Sequence, residues 1–234
     1  MAAVDVPFSF VDRALYLPDA EALVLADLHL GRAVTSAVDA PLSATADVVS
    51  RLESLLERLD PGTVVVAGDL LHSFSSLPRG VEDAVADLER AVDDAGTALV
   101  VTPGNHDAML EAAFDGETAD EYRLDDGTVV LHGHDEPTLG AQRYVIGHDH
   151  PALSVDGRKL PCLLYGPDCY RGTDVLVLPA FTRLAPGSTV NGLSGRDFLS
   201  PLVSDPDAFY PAVRDESGDE TLWFPPLGEC RQLL

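Results

Sequence analysis

Short, wholly apolar runs alternate along this chain with longer amphipathic stretches. Runs of strand length recur at EALVLA (21–26), TVVVA (63–67), TALVV (97–101), TVVL (128–131), RYVI (143–146) and DVLVL (174–178). Their hydrophobicity is continuous rather than alternating, as expected of strands covered on both faces. Between the first three lie two helical patterns: Val48, Val49, Leu52, Leu55, Leu56 and Leu59, then Val81, Val85, Leu88 and Val92, each with charged residues on the opposite side. Ser43 or Thr45 is placed to cap the first helix and Gly96 to end the second. This order of strands and helices predicts parallel pairing with helical crossovers. Further along, strands follow one another through turns such as DDGT (125–128) and VDGR (155–158), which predicts a more antiparallel sheet. The economical architecture is an α/β sandwich of two sheets with flanking helices. With no internal repeat or low-complexity block, the 234 residues (1–234) are expected to form a single domain. The stretch from Ser204 to Thr221, rich in Asp, Glu and Pro, reads as exposed loop.

Polar residues then break the pattern at particular places. All seven histidines lie within a few residues of strand ends. LVLADLHLG supplies Asp27 and His29, VVVAGDLLHS supplies Asp69 and His72, and LVVTPGNHDA supplies Asn105 and His106. VVLHGHDEP adds His132 and His134, and YVIGHDHPA adds His148 and His150. The carboxyl ends of strands in such sheets converge on a crevice where ligands bind. On an extended segment, residues two apart point the same way, so Asp27 with His29, and His148 with His150, are expected to reach one place.

The donor types suggest what sits there. Imidazoles, carboxylates and an amide oxygen suit first-row divalent metals such as Mn, Fe or Zn, whereas all-oxygen sets suit Mg or Ca. No thiolate takes part, which excludes a structural zinc site built from four cysteines. Asp27, His29, Asp69, Asn105, His132, His148 and His150 are too many donors for one ion that must keep an open position. They suit two ions sharing a carboxylate, and Asp69, after a central strand, is the natural bridge. Paired ions of this kind sit about 3.5–4 Å apart, generate hydroxide at neutral pH and clamp a phosphoryl oxygen. Gly68, Gly104, Gly133 and Gly147, beside the donors, are expected to leave room for substrate.

Taken in order, DLH, GD, GNHD, HGH and GHDH resemble the signature of the calcineurin-like metallophosphoesterases. The resemblance implies a four-layer αββα sandwich with a binuclear metal centre. One metal would be held by Asp27, His29, Asp69 and His150, the other by Asp69, Asn105, His132 and His148. His106 would stay free of metal as the acid facing the leaving group, and Asp107 would cap a following helix. His72 stands three residues after Asp69, where many family members carry Asp. GDLLHS instead resembles the form in double-strand-break-repair nucleases, making His72 a second catalytic candidate beside a capping or positioning role. LPAFTRLAPGSTVN (178–191) resembles a smaller branch of single-domain phosphoesterases similar to those nucleases, some of them DNA-ligase-associated. That branch fits a length that leaves no room for the nucleases' DNA-capping domain. The implied activity is hydrolysis of phosphodiesters, nucleotide or nucleic-acid derived, through a metal-bound hydroxide with His106 assisting. A phosphomonoesterase or phosphoprotein phosphatase is the alternative. A non-catalytic scaffold ranks lower, since none of the metal-ligand positions is broken. Arg32, Arg143 and His134, near motif ends, stand as phosphate contacts or solvated side chains.

Composition adds the setting. Asp and Glu number 39 against 15 Lys and Arg, a formal net charge of −24, and Lys159 is the only lysine. Such a surface repels polyanions in dilute buffer. It is also the composition expected in a salt-loaded cytoplasm, where the Debye length falls to about 3 Å or less. The opening MAAVDVPFSFVDR is acidic where a secretory leader is basic, and no apolar run is long enough to span a bilayer. A cytoplasmic protein without a membrane partner is expected, its partner being the phosphoester substrate and, if the nuclease resemblance holds, nucleic acid. Cys162, Cys169 and Cys230 form no paired motif and read as free thiols.

Overall fold

The apolar strands assemble into two stacked sheets in a computed structural model that describes residues 6–32, 41–72, 76–215 and 219–230, with backbone only for 41–44. The first sheet runs in order β1 (Ser9–Val11), β2 (Ala14–Leu17), β3 (Ala22–Leu25), β4 (Thr63–Ala67), β5 (Ala98–Thr102) and β6 (Glu117–Thr118). β1, β2 and β3 pair antiparallel, and β3 to β6 pair parallel. Helices α1 (Pro41–Leu59) and α2 (Val81–Asp94) pack on its outer face. Leu52, Leu55, Val85 and Leu88 meet Leu23, Leu25, Val64 and Val66 there in one buried cluster. Pro41 opens α1, so Ser43 and Thr45 lie within the helix rather than capping it. Gly96, at φ +70°, follows the end of α2 as expected.

The second sheet contains β7 (Tyr122–Arg123), β8 (Thr128–Leu131), β9 (Arg143–Ile146), β10 (Pro151–Val155), β11 (Arg158–Tyr170), β12 (Thr173–Val177) and β13 (Ser188–Thr189), with β14 (Tyr210–Asp215) on β11 and β15 (Glu220–Trp223) on β14. β8, β9 and β12 run parallel, while β10, β11, β12 and β14 exchange antiparallel pairs. Val24, Val65 and Val100 of the first sheet face Val130, Val145 and Leu176 of the second across the shared core. The outermost layer is thin. Phe198, Leu202, Phe209 and Leu227 come from irregular chain and from the one-turn helix α3 (Leu227–Cys230), and they cover Leu131, Ile146, Leu164 and Val177.

The expected loop from 204 to 221 is partly strand. Ala212 and Val213 are buried, and β14 pairs with residues 162–165 of β11, an outlet for apolar residues that local composition hides. Among the described residues no helix is long and apolar enough to cross a membrane.

Candidate metal centre

The site forms where β3, β4, β5, β8 and β9 end. Beyond β3 and β4 the two chains stay side by side. Asp27 N–H donates to Gly68 O (3.1 Å), His29 N–H to Asp69 O (2.9 Å) and Leu30 N–H to Leu70 O (2.8 Å). Leu28, Leu30, Leu70 and Leu71, interleaved with the polar residues, are buried and anchor both segments to the core. The segments are not extended as the spacing suggested. Asp27 (φ 54°), His29 (48°), Asp69 (48°), His148 (70°) and His150 (45°) all adopt the left-handed conformation. Side chains with a Cβ enter that region at a cost, which the surrounding packing has to offset. Five of the seven donors expected from sequence share this conformation, which also occurs in turns elsewhere in the chain, such as Asp60 and Asp156.

Two carboxylates outside that donor set hold the loops in register. Asp107 accepts N–H bonds from Leu70 (3.2 Å), Leu71 (2.7 Å) and Gly104 (2.9 Å), lashing the loop after β5 to the loop after β4. It therefore does not cap a helix; the next helical turn is a short 3-10 segment, Leu110–Ala112. Asp149, between two donor histidines, points the other way and accepts N–H bonds from Leu199 (2.7 Å) and Ser200 (3.2 Å). Gly68, Gly104 and Gly147 make room for donor side chains, while Gly133 packs against Ile146. A Cβ on Gly104 would lie 2.1 Å from Asp69 Oδ1, and one on Gly68 would lie 2.0 Å from the His132 ring.

Two sets of donor atoms converge. In the first, Asp27, His29, Asp69 and His150 each offer one atom, all within 4.8 Å of one another. His150 Nε2 is 3.2 Å from Asp27 Oδ1 and 3.3 Å from His29 Nε2. In the second, His132 Nε2 lies 3.0 Å from Asn105 Oδ1, 3.0 Å from His148 Nδ1 and 3.6 Å from Asp69 Oδ1. His132 Nδ1 faces the Ala67 carbonyl at 3.4 Å, which can only accept, so the ring proton belongs there and Nε2 presents a lone pair. Asp69 joins the sets: Oδ2 faces His29 Nε2 at 3.9 Å and Oδ1 faces the second set. Lone pairs crowded at these distances repel, and cations between them remove the repulsion. The donor set therefore fits two divalent ions of the imidazole-accepting kind.

The electrostatics agree. Burial first, and the charge of Asp27 second, push Asp69 up to about 8. Burial raises Asp27 as well, against the opposing pull of His150. Burial first, and neighbouring imidazoles second, hold His29 and His132 down at about 2 and His148 at about 4. His150 moves the other way: burial lowers it, but the charge and hydrogen bond of Asp27 lift it above the ordinary imidazole value. The pocket thus keeps most of its imidazoles neutral and ready to ligate while disfavouring unpaired carboxylate charge, the condition that bound cations relieve.

The other expected residues distribute as follows. His106 donates its backbone N–H to Asp69 Oδ1 (2.9 Å), and its ring, partly exposed, stacks on His72 with centroids 4.9 Å apart and planes at 16°. His29, His72 and His106 also bring ring nitrogens within 4.8 Å of one another. Burial first, then surrounding positive charge that includes Arg32, lowers both His72 and His106. Arg32 thus belongs to the electrostatic surroundings of the site. Arg143 does not: it opens β9 at the end opposite the histidines and pairs with Asp126 at 3.5 Å. His134 sits beside His132, centroids 5.2 Å apart, with its side chain 38% exposed.

Arg51 escaped sequence reasoning because it looks like an ordinary helix-surface cation. It is buried, donates twice to the Asp12 carboxylate (2.8 and 2.9 Å) and once to Phe181 O (2.8 Å), and lies 4.1 Å over the Phe181 ring. Phe181 N–H in turn donates to Ala26 O (2.8 Å), next to Asp27.

Two sheets that deliver five histidine- and carboxylate-bearing loops to one crevice define a metallophosphoesterase. The chain belongs to the calcineurin-like phosphoesterase family, whose model matches residues 21–159, well over half of its length. No curated protein matches it. Among solved structures it is similar to the Pseudomonas putida nuclease MPE, with 23% identity, a TM-score of 0.63, and 91% of this chain and 92% of that chain covered. It also aligns with YfcE, a phosphoesterase from E. coli, at 13% identity and a TM-score of 0.46, covering 88% and 98% of the two chains. The first likeness shows the fold that β3, β4, β8 and β9 build here.

Proposed function

We propose that the chain is a binuclear-metal phosphodiesterase acting on nucleotide or nucleic-acid derived substrates. The observation that carries this reading is Asp69, whose two oxygens face two separate donor sets. Asp27, His29, Asp69 and His150 would hold one ion, and Asp69, Asn105, His132 and His148 the other. Mn is favoured over Fe or Zn. Bound, the cations supply Lewis acidity, giving a nucleophile at neutral pH and charge against the transferring phosphoryl oxygens.

The chain's own residues do the remainder. Asp107 and Asp149 hold the donor loops in place, so little reorganisation accompanies the reaction. His106, anchored by its N–H on Asp69 and steadied by the stacked His72, assists the departing oxygen with a ring N–H. Arg32 adds positive charge on the same side. A diester is favoured over a monoester because GDLLHS, with His72 three residues after Asp69, resembles the form in double-strand-break-repair nucleases. The fold of a nuclease over nearly the same length is consistent with this. The enzyme would work in a saline cytoplasm.

The test compares initial rates on a phosphodiester and the matching phosphomonoester, with the same leaving group, saturating Mn and high KCl. Faster hydrolysis of the diester is expected. A clear preference for the monoester would overturn the diesterase assignment and leave the binuclear hydrolase standing.

A further inference from the structure

A second recognition element lies at the same end of the sandwich. β2 runs antiparallel to β3, so Arg13, just before β2, lies at the end where β3 finishes and Asp27 follows. β11 runs antiparallel to β12, which is parallel to β9, so Arg158 at the start of β11 lies at the end where His148 follows β9. β14 pairs antiparallel with β11 and brings Arg214 to that end too. The three arginines line one cavity of about 630 Å³.

Its composition runs against the rest of the molecule. The chain as a whole has 39 acidic to 15 basic residues, whereas this cavity is lined by three arginines against Asp12 and Asp215. The Asp12 carboxylate is already gripped by Arg51 on both oxygens. Arg13 is held in place by donating to Thr182 O (3.0 Å), and Arg214 by Thr221 and Asp219. Arg158 stays exposed on the β10–β11 turn. Phe10, Leu160 and Leu222 supply apolar wall between them. Guanidinium forks beside an apolar wall match a phosphate joined to a flat, weakly polar group, which is a nucleotide. The cavity also connects to the metal site through short links: Arg13 donates to Ala180 O (3.5 Å) and Thr182 O, and Phe181 between them donates to Ala26 O, beside Asp27.

We propose that this cavity holds a nucleotide of the substrate strand away from the scissile phosphate. The proposal rests on the phosphodiesterase reading above and narrows it to single-stranded nucleic acid, gripped by few phosphate contacts. Arginine forks suit that task in strong salt, because their directed hydrogen bonds outlast screened long-range attraction.

The experiment measures binding of a fluorescein-labelled, hydrolysis-resistant phosphorothioate hexathymidylate to the Mn-loaded protein by anisotropy, at a KCl concentration that keeps the protein folded. Arg158→Glu and the milder Arg158→Ala are compared with Arg90→Glu, an exposed cation on α2 outside the cavity. R158E is expected to weaken binding at least tenfold, R158A less in the same direction, and R90E under twofold. Equal effects of R158E and R90E, or no measurable binding by the wild type, would overturn the proposal. Wild-type hydrolysis of bis(p-nitrophenyl) phosphate is read alongside, because it needs the metal centre and no strand. Its absence sinks the phosphodiesterase reading, whereas its presence with unaltered strand binding sinks the cavity alone.

Discussion

His106 and Asp69 show how little separates a proposed ligand from its neighbour at the scale of one residue. His106 shares a hydrogen bond with the Asp69 carboxylate, the proposed bridge, yet turns its ring toward His72. His106→Ala is therefore expected to leave metal content near wild type and lower turnover by about 10² or more on a substrate with a poor leaving group. Unchanged turnover on such a substrate would remove His106 from the mechanism. Asp69 makes a second, pH-dependent prediction. Metal-free, its carboxyl is lifted to about 8, so at pH 7 it holds a proton that an incoming cation must displace. Mn binding at pH 7 should release at least one proton, with affinity rising up to about pH 8 and levelling beyond it. Calorimetry in two buffers of different ionisation enthalpy reads this directly; a heat independent of buffer would refute it, and D69N should lose much of the release. The convergence of the seven proposed donors was legible in the sequence because each follows an apolar run within a few residues. Asp107, Asp149 and Arg51 were not. Their partners Leu71, Ser200 and Asp12 lie 36, 51 and 39 residues away, and nothing local tells a loop carboxylate that accepts backbone N–H bonds from one that is merely solvated.

Elements were legible where periodicity is a local property. β3, β4, β5, α1 and α2 lie close to the predicted ranges, and so does their parallel order. β11 was missed because Pro161, Gly166 and Pro167 interrupt it, and β14 because Pro211 and a charged surround mask Ala212 and Val213. β14 and β11 pair with each other although they lie far apart in sequence, a non-local fact. Arg51 works at this scale, since it ties α1, the β1–β2 turn and the segment after β12 into one unit. Removing it would strand the carboxylate of Asp12 and free the Phe181 carbonyl. Arg51→Ala is expected to cost about 3 kcal/mol, the lower range for breaking a buried pair. Arg51→Lys should recover only part, because an ammonium cannot fork across both oxygens. Urea unfolding with metal saturating checks both, and an R51A change within about 0.5 kcal/mol, the scale of ordinary surface substitutions, would show that the network is dispensable.

For the whole molecule, the dominant fact is charge rather than shape. The two-sheet core is ordinary, with Val65, Val100, Val145 and Leu176 fully buried between layers, so nothing in the packing calls for salt. The net charge of −24 is the feature on which any response to salt would rest. The carboxylates repel one another in the compact state and less so in an expanded chain, so self-repulsion lowers stability in dilute buffer. Screening shortens its range from about 10 Å at 0.1 M to about 3 Å at 1 M. Pairs such as Arg90–Asp87 and Arg171–Glu136 are exposed and are weakened by the same screening, but they are few beside the excess of acid. The expected net effect of added KCl is therefore a rise in melting temperature between dilute buffer and molar salt. Metal must be held saturating, because the centre contributes its own stability through binding and salt changes that affinity as well. Potassium chloride is the salt to use, since sulfate would strengthen apolar burial in any protein and hide the distinction. A screening effect rises most steeply at low concentration and flattens once the Debye length is shorter than the spacing of surface carboxylates. A melting temperature flat or falling across the whole range would mean that the acidic surface carries no adaptation to salt.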